Sequence, residues 1–312
     1  MSLHLPADFA QDGFPTEPTP FRHALADHPL LQLDALADLA RRLDGDRVEY
    51  NSGRLEPGQN PDTIASVDLE PADVVRQIET CGAWMVLKSV EVVPDYREIL
   101  NTCLSDAARA CGHATTDDAG FYDIQGFIFV ASANSVTPFH VDYEENLFVH
   151  LKGPKAMHVF DNRGRSFVSE EYLETYPGKH RNLAYDAAFE QNARIFDFEP
   201  GDGLYVPYTW PHWVRTGDDV AVSMAITWKT RPVLRNNTLM FANAVLRRMK
   251  LPQPAPGRFP LFDGLKIAAF GAARAVIEPL RRSERSRRLL RGLLFGRKAN
   301  YYYDKRPQAA GE

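Results

Sequence analysis

The chain has 312 residues, 44% of them hydrophobic and 25% charged, with a formal net charge of −5, which suits one large soluble domain or two small ones. Three cysteines, Cys81, Cys103 and Cys111, are too few and too oddly spaced for a disulfide framework and point to a reducing, cytoplasmic setting. No window of 18 apolar residues and no basic-then-apolar leader are present, so no transmembrane helix or signal peptide is expected; the net charge alone argues neither for nor against nucleic acid, and no specific nucleic-acid binding is expected.

Residues 1–28, with Pro6, Pro15, Pro18 and Pro20, read as an extended arm lying on the domain. Leu33, Leu36, Leu39 and Leu43 recur at helical spacing. Residues 45–70 read as loop, and a short helix runs from Pro71 towards Gly82. Trp84–Val93 reads as a strand, and Pro94 opens a helix that Gly112 closes. From Gly126 the texture changes to short β-rich runs split by Gly, Pro, Asn and Asp, which argues a sandwich or barrel. The interval 161–192, with Pro177-Gly178 and Lys179-His180-Arg181, reads as either a lid or a tolerated insertion. Helices are expected over 236–250 and 262–295, the second interrupted at Pro279. Its segment 274–298 carries +7, against −12 for the remainder. That basic, Leu-rich face could meet an anionic membrane, nucleic acid or an acidic partner, or simply be solvated. The division expected is 1–113 (arm and helical region), 114–232 (β core) and 233–312 (helical region).

The chemistry concentrates in TPFHVDYEENLFVHLKGPK, residues 137–155. On a strand, His140 and Asp142 project from one face. His212, in GDGLYVPYTWPHW, can supply a second imidazole, and two His with one carboxylate is the facial set of non-haem Fe(II) oxygenases. Imidazoles also suit Zn, Ni and Cu, so the ligands alone leave the metal open. Thr137, Asn146 and Lys155 add a hydroxyl, an amide and an ammonium, which suit the carboxylate of a 2-oxo acid. Taken alone, the KGPK setting would equally make Lys155 an exposed turn lysine.

These two runs resemble the JmjC-type, cupin-like Fe(II)/2-oxoglutarate oxygenases, in particular the factor-inhibiting-HIF-like group, over about residues 126–230. The resemblance implies a mainly β fold, a double-stranded β-helix (jelly roll) with flanking helices. It implies Fe(II), 2-oxoglutarate and O2 as cofactor and cosubstrates, with hydroxylation or demethylation of a protein side chain or small molecule. His140, Asp142 and His212 fall on the iron ligands, Lys155 and Thr137 on residues holding the distal carboxylate, and Asn146 on a further cosubstrate contact. Tyr205 and Trp210 fall on aromatic positions read as support. One position departs from the pattern: Ile226 stands where relatives have Asn, with Ser223 and Thr227 as possible substitutes. His150 and His158 are read as ordinary strand residues. Relatives also suggest a homodimer through the C-terminal helices. The competing expectation is a non-oxygenase metal-binding cupin, an isomerase or a ligand-binding regulator.

Overall fold

The computed structural model describes residues 2–10, 14–174 and 182–277, with Ser286, Leu289 and Gly292 beyond them. The chain forms two compact units, Met1–Arg163 with Asn182–Arg231, and Gly164–Arg181 with Pro232–Glu312.

The first unit is built on strands β1 (Leu3–His4), β2 (Thr19–His23), β3 (Val48–Ser52), β4 (Ala83–Lys88), β5 (Tyr122–Ala131), β6 (Val136–His140), β7 (Glu145–Lys152), β8 (Lys155–Val159), β9 (Arg194–Phe198), β10 (Asp202–Val206), β11 (His212–Thr216) and β12 (Ala221–Lys229). They pair in two sheets, β1-β2-β10-β7-β12-β5-β4-β3 and β6-β11-β8-β9. Strands β5–β12 are thus dealt between the sheets in jelly-roll order, with two extra strands on each edge of the larger sheet.

Strand periodicity separates two cores. On β7, Leu147, Val149 and Leu151 face outward, into a core shared with helices α1 (Leu33–Arg42), α2 (Pro71–Arg76) and α3 (Pro94–Ala110). Phe148 faces the other way and meets Met157, Val159, Leu204 and Val214 between the sheets. A strand covered on both faces reads as an almost unbroken apolar run, which is how Leu147–Leu151 appears. Asp106 on α3 accepts hydrogen bonds from the Ser2 and Leu3 amides at 2.6 and 3.0 Å, which anchors β1.

Three local expectations are corrected. The N-terminal arm contributes β1 and β2, and β2 pairs with β10 as part of the large sheet. The interval 45–70 contains β3, paired with β4. The strand expected over 84–93 ends at Lys88, because Ser89 turns into the left-handed region (φ 52°) and Val90–Val92 forms a 3-10 turn. The helix after Pro94 stands as expected, with Gly112 at φ 76° past its end.

Gly153 joins β7 to β8 and so delivers Lys155. Its φ is 73°, and a Cβ there would lie 2.0 Å from the Val220 carbonyl oxygen. Gly153→Ala is therefore expected to cost about 2–3 kcal/mol, measured by denaturant unfolding. A loss below about 0.5 kcal/mol would show that the turn readily rearranges.

The second unit is helical: α4 (Glu170–Glu174), α5 (Arg231–Arg248, all but its first residue) and α6 (Pro260–Ile277). Its interior combines apolar residues, Leu173, Val233, Leu239, Met240 and Ala242, with a buried polar cluster. The Glu174 carboxylate accepts from Asn243 Nδ2 and Arg247 Nε at 2.7 and 2.5 Å, and Lys266 donates to Asn243 Oδ1 at 2.7 Å. Leu261, Phe262 and Leu265 of α6 are exposed. Residues 278–298, apart from Ser286, Leu289 and Gly292, lie outside the described residues, and with them most of the basic segment; so do Pro177-Gly178 and Lys179-His180-Arg181. No helix among the described residues is long and apolar enough to cross a membrane.

Candidate metal and cosubstrate site

Strands β6 and β11 pair with His212 opposite His140 and Val214 opposite Thr137. One residue on β11, Trp213, is thus matched by two on β6, Pro138 and Phe139, a bulge. The extra residue changes the parity of β6, so that Thr137 and His140 both face the space between the sheets despite their odd spacing. The bulge falls at Pro138-Phe139, and Pro138 has no N–H to contribute to a ladder.

His140, Asp142 and His212 come together, each offering a ligand atom within 4.8 Å of the others. The two imidazole centroids are 4.2 Å apart and His212 Nε2 lies 3.8 Å from Asp142 Oδ2. Each imidazole is held by a backbone carbonyl, His140 Nδ1 by Pro138 O at 2.7 Å and His212 Nδ1 by Trp210 O at 3.0 Å. A carbonyl only accepts, so both Nδ1 atoms carry the hydrogen, which leaves Nε2 of each ring as the atom that can bind a metal. Two lone pairs and a carboxylate gathered at this spacing suit a divalent cation, and the carbonyl anchors are the outer-shell contacts a metal-binding His requires. Asn146 Nδ2 donates to Asp142 Oδ2 at 3.1 Å, which orients that carboxylate. The other end of the amide, Asn146 Oδ1, is buried without a hydrogen-bond donor among the described residues.

Lys155 settles the choice left open by its KGPK setting: it is a buried residue, not an exposed turn lysine. Its Nζ donates to Ser223 Oγ at 2.6 Å and stands 5.6 Å from the Phe148 ring centroid. No carboxylate pairs with it among the described residues. Burial pushes its pKa down to about 7. Thr137 accepts from Trp84 Nε1 at 2.9 Å and keeps its own hydrogen to donate. Of the two substitutes considered for the departure at Ile226, Ser223 contacts Lys155, whereas Thr227 faces Asn146 across β12 and β7. Ile226 points into the outer core.

Tyr205 and Trp210 are supports, in different places. Tyr205 lies on the outer face of the large sheet, stacked near Phe14 at 5.9 Å. Its hydroxyl donates to Glu145 Oε2 at 2.7 Å. Trp210 is buried in the core between the sheets, with the guanidinium groups of Arg163 and Arg194 each 5.5 Å from its ring. His158 stacks on Trp213 at 3.8 Å and bonds Glu190, and His150 bonds the Gly153 carbonyl; neither joins the ligand cluster. From the long connection, Tyr185 and Phe189 pack their rings against Phe139 of β6, at 5.4 and 6.1 Å, next to His140.

Glu145 is a contributor that its sequence setting gives no reason to single out. It is buried, and burial pushes its pKa up. Its Oε2 accepts from Tyr205 Oη and from the Tyr208 amide at 3.4 Å, while the Thr209 amide donates to Asp142 O at 3.0 Å. These bonds fix the turn Pro207–Trp210, with Thr209 at φ 60°, whose last carbonyl orients His212. Glu145→Ala should leave the buried Tyr205 hydroxyl without its acceptor and cost about 2 kcal/mol, whereas Glu145→Gln keeps an acceptor and should cost less than about 1 kcal/mol. Thermal unfolding of the two variants checks this; equal losses would contradict it.

No family model matches the chain. Over 105 residues it is 28% identical to JmjC domain-containing histone demethylation protein 1 of Caenorhabditis elegans, covering 33% of this chain and 9% of that protein. Over 250 residues it is 25% identical to HSPB1-associated protein 1 of Rattus norvegicus, covering 72% of this chain and 48% of that protein. The chain therefore matches less than half the length of either relative. Among solved structures, that of YcfD, a ribosomal oxygenase from Escherichia coli, in complex with cobalt and 2-oxoglutarate is similar at TM-score 0.47 and 15% identity, covering 94% of this chain and 72% of that one.

Proposed function

We propose that the chain is an Fe(II)- and 2-oxoglutarate-dependent oxygenase, with His140, Asp142 and His212 holding the metal and Lys155, Thr137 and Asn146 holding the cosubstrate. The observation that carries this reading is Lys155: a buried lysine with one neutral partner, inside the same barrel as a two-imidazole, one-carboxylate cluster. Burying an ammonium without a counter-charge is costly, and a carboxylate ligand removes that cost. A metal-binding cupin that is not an oxygenase would give Lys155 no anion to receive, so this alternative ranks second.

The chemistry such a metal and cosubstrate supply is O2-dependent oxidation of a substrate C–H bond, coupled to decarboxylation of 2-oxoglutarate to succinate and CO2. The protein's share is positioning and exclusion of water. The carbonyl anchors fix both imidazoles, Asn146 fixes Asp142, and the apolar lining from Phe148 to Val214 keeps the dielectric low around Lys155. Protein side chains and small molecules remain the two substrate classes, with hydroxylation or demethylation of either. The similarity to a protein named as a histone demethylation protein favours the JmjC type in general. The factor-inhibiting-HIF-like assignment rests on the Thr-Pro-x-His-x-Asp and Lys-Gly-x-Lys runs. Free thiols at Cys81, Cys103 and Cys111 favour a reducing, cytoplasmic setting. Self-association is proposed through the exposed apolar side chains of α6, and an anionic membrane or acidic partner through residues 274–298. The reading is tested by following succinate after adding Fe(II), 2-oxoglutarate and O2 to protein purified anaerobically. Metal and 2-oxoglutarate binding without any succinate would favour the non-oxygenase cupin.

A further inference from the structure

The end of the barrel that holds Lys155 is unusual in what surrounds it. Ser223 on β12 accepts a hydrogen bond from Lys155, and Thr216 on β11 and Phe198 on β9 stand opposite it in register. Across the core are Phe148 and His150 of β7, their rings nearly parallel with centroids 6.5 Å apart, and His150 is paired with Ser223. None of these groups carries a negative charge.

The titratable neighbours do not supply one either. His150 is fully buried, and burial first, then the nearby Lys155 charge, push its pKa down to about 3, so it stays neutral. His23 on β2 bonds the Asp202 carbonyl, and burial lowers its pKa as well. The Asp202 carboxylate acts weakly on His150 but is already paired with Arg22. Burial is the only influence resolved on Lys155 itself. Among the described residues, then, Lys155 has no anionic partner that would keep the amine charged.

We propose that Lys155 takes up a proton when a carboxylate docks beside it, so that capture of the 2-oxo acid is coupled to proton uptake. This inference rests on the oxygenase reading above, which places the cosubstrate's distal carboxylate at Lys155. The equilibrium balances simply: the neutral amine and one solvent proton become an ammonium, whose charge the carboxylate neutralises. Without ligand the amine loses its proton from about pH 7 upward; with a carboxylate in place it regains an ordinary lysine's hold on it. The unliganded protein therefore binds fewer protons than the complex above neutrality. The dissociation constant for the dicarboxylate should then rise with pH, approaching tenfold per unit, and should be flat well below pH 7.

The experiment is calorimetric titration of 2-oxoglutarate into full-length protein saturated with Mn(II), without O2, at pH 6.0, 7.0, 8.0 and 8.5. Each titration is run in two buffers of different ionisation enthalpy. The expected uptake is close to one proton per ligand at pH 8 and about a tenth of one at pH 6. Two controls isolate the amine. Lys155→Arg places an always-charged group there and should abolish both the slope and the uptake, even if it binds more weakly. Pyruvate, a 2-oxo acid with no distal carboxylate, should bind weakly and take up no proton. A pH-independent 2-oxoglutarate constant with no buffer-dependent heat would overturn proton coupling while leaving the oxygenase reading intact. Proton uptake that persists in Lys155→Arg would also overturn it, by placing the proton elsewhere. Absence of 2-oxoglutarate binding at every pH would instead remove the oxygenase reading on which the inference stands.

Discussion

An Asp142→Ala, His212→Ala double variant is expected to lose divalent-metal binding and all metal-dependent succinate formation while remaining folded. Removing an outer contact to a metal ligand typically weakens affinity by about 10–100-fold. Removing two of three ligands should take affinity beyond the range that calorimetry with Co(II) or Mn(II) detects. The expectation that the variant folds also has a physical basis. Without a cation, two imidazole lone pairs and a carboxylate converge within 4.8 Å, an arrangement that does not stabilise the apoprotein. Asp142→Ala does remove the acceptor for Asn146 Nδ2, a loss of about 1 kcal/mol that relief of this crowding offsets. The metal-free variant should melt several degrees below the metal-free parent, because His212→Ala also empties a buried site and frees the Trp210 carbonyl, and only the parent should gain stability when Mn(II) is added. A variant that still gains stability with Mn(II) would show that these residues are not the ligands.

Lys155→Met is expected to raise the 2-oxoglutarate KM by roughly 30–1,000-fold, the loss of about 2–4 kcal/mol attached to a buried charged hydrogen-bond pair. It should at the same time stabilise the ligand-free protein, because the substitution keeps the apolar stem and removes an amine whose charge is buried. The pH dependence has a definite sign. In the folded protein burial pushes the Lys155 pKa down to about 7, well below that of the same lysine in the unfolded chain. Between the two values the unfolded chain binds more protons, so this group makes stability rise with pH across that window, and below about pH 7 its penalty is complete. The gain from Lys155→Met should therefore be largest below pH 7 and shrink as pH rises towards 10. Urea unfolding of the apoproteins across that range measures it. A variant less stable than the parent at pH 6 would contradict a buried, uncompensated ammonium.

The site was legible in the sequence because its donors are local. His140 ends β6 and Asp142 stands two residues on, in the connection to β7 and not on the strand itself, Lys155 follows one strand later, and a single aromatic-rich turn introduces His212. Less visible was what makes those residues work. The bulge that turns Thr137 and His140 to one side is a property of β6 paired with β11. Ser223 becomes the partner of Lys155 only because β12 crosses opposite β8, and Glu145 supports His212 only through the fold of the 207–210 turn. Elements were missed for a related reason. Val48–Ser52 carries a single aliphatic residue and gains its strand character from pairing with β4. Trp84–Val93 looks uniformly β-forming, yet it breaks at Ser89 because the chain must turn into α3. Tertiary context decided these cases over local preference.

The most direct test of the account is succinate yield. Anaerobically purified protein is given Fe(II) and 2-oxoglutarate, exposed to O2, and compared with the Asp142→Ala, His212→Ala and Lys155→Met variants under the same conditions. The account predicts Fe(II)-dependent succinate from the parent, none from the double variant, and formation by Lys155→Met that is restored only at much higher 2-oxoglutarate. Succinate formed equally by the parent and the double variant would contradict it.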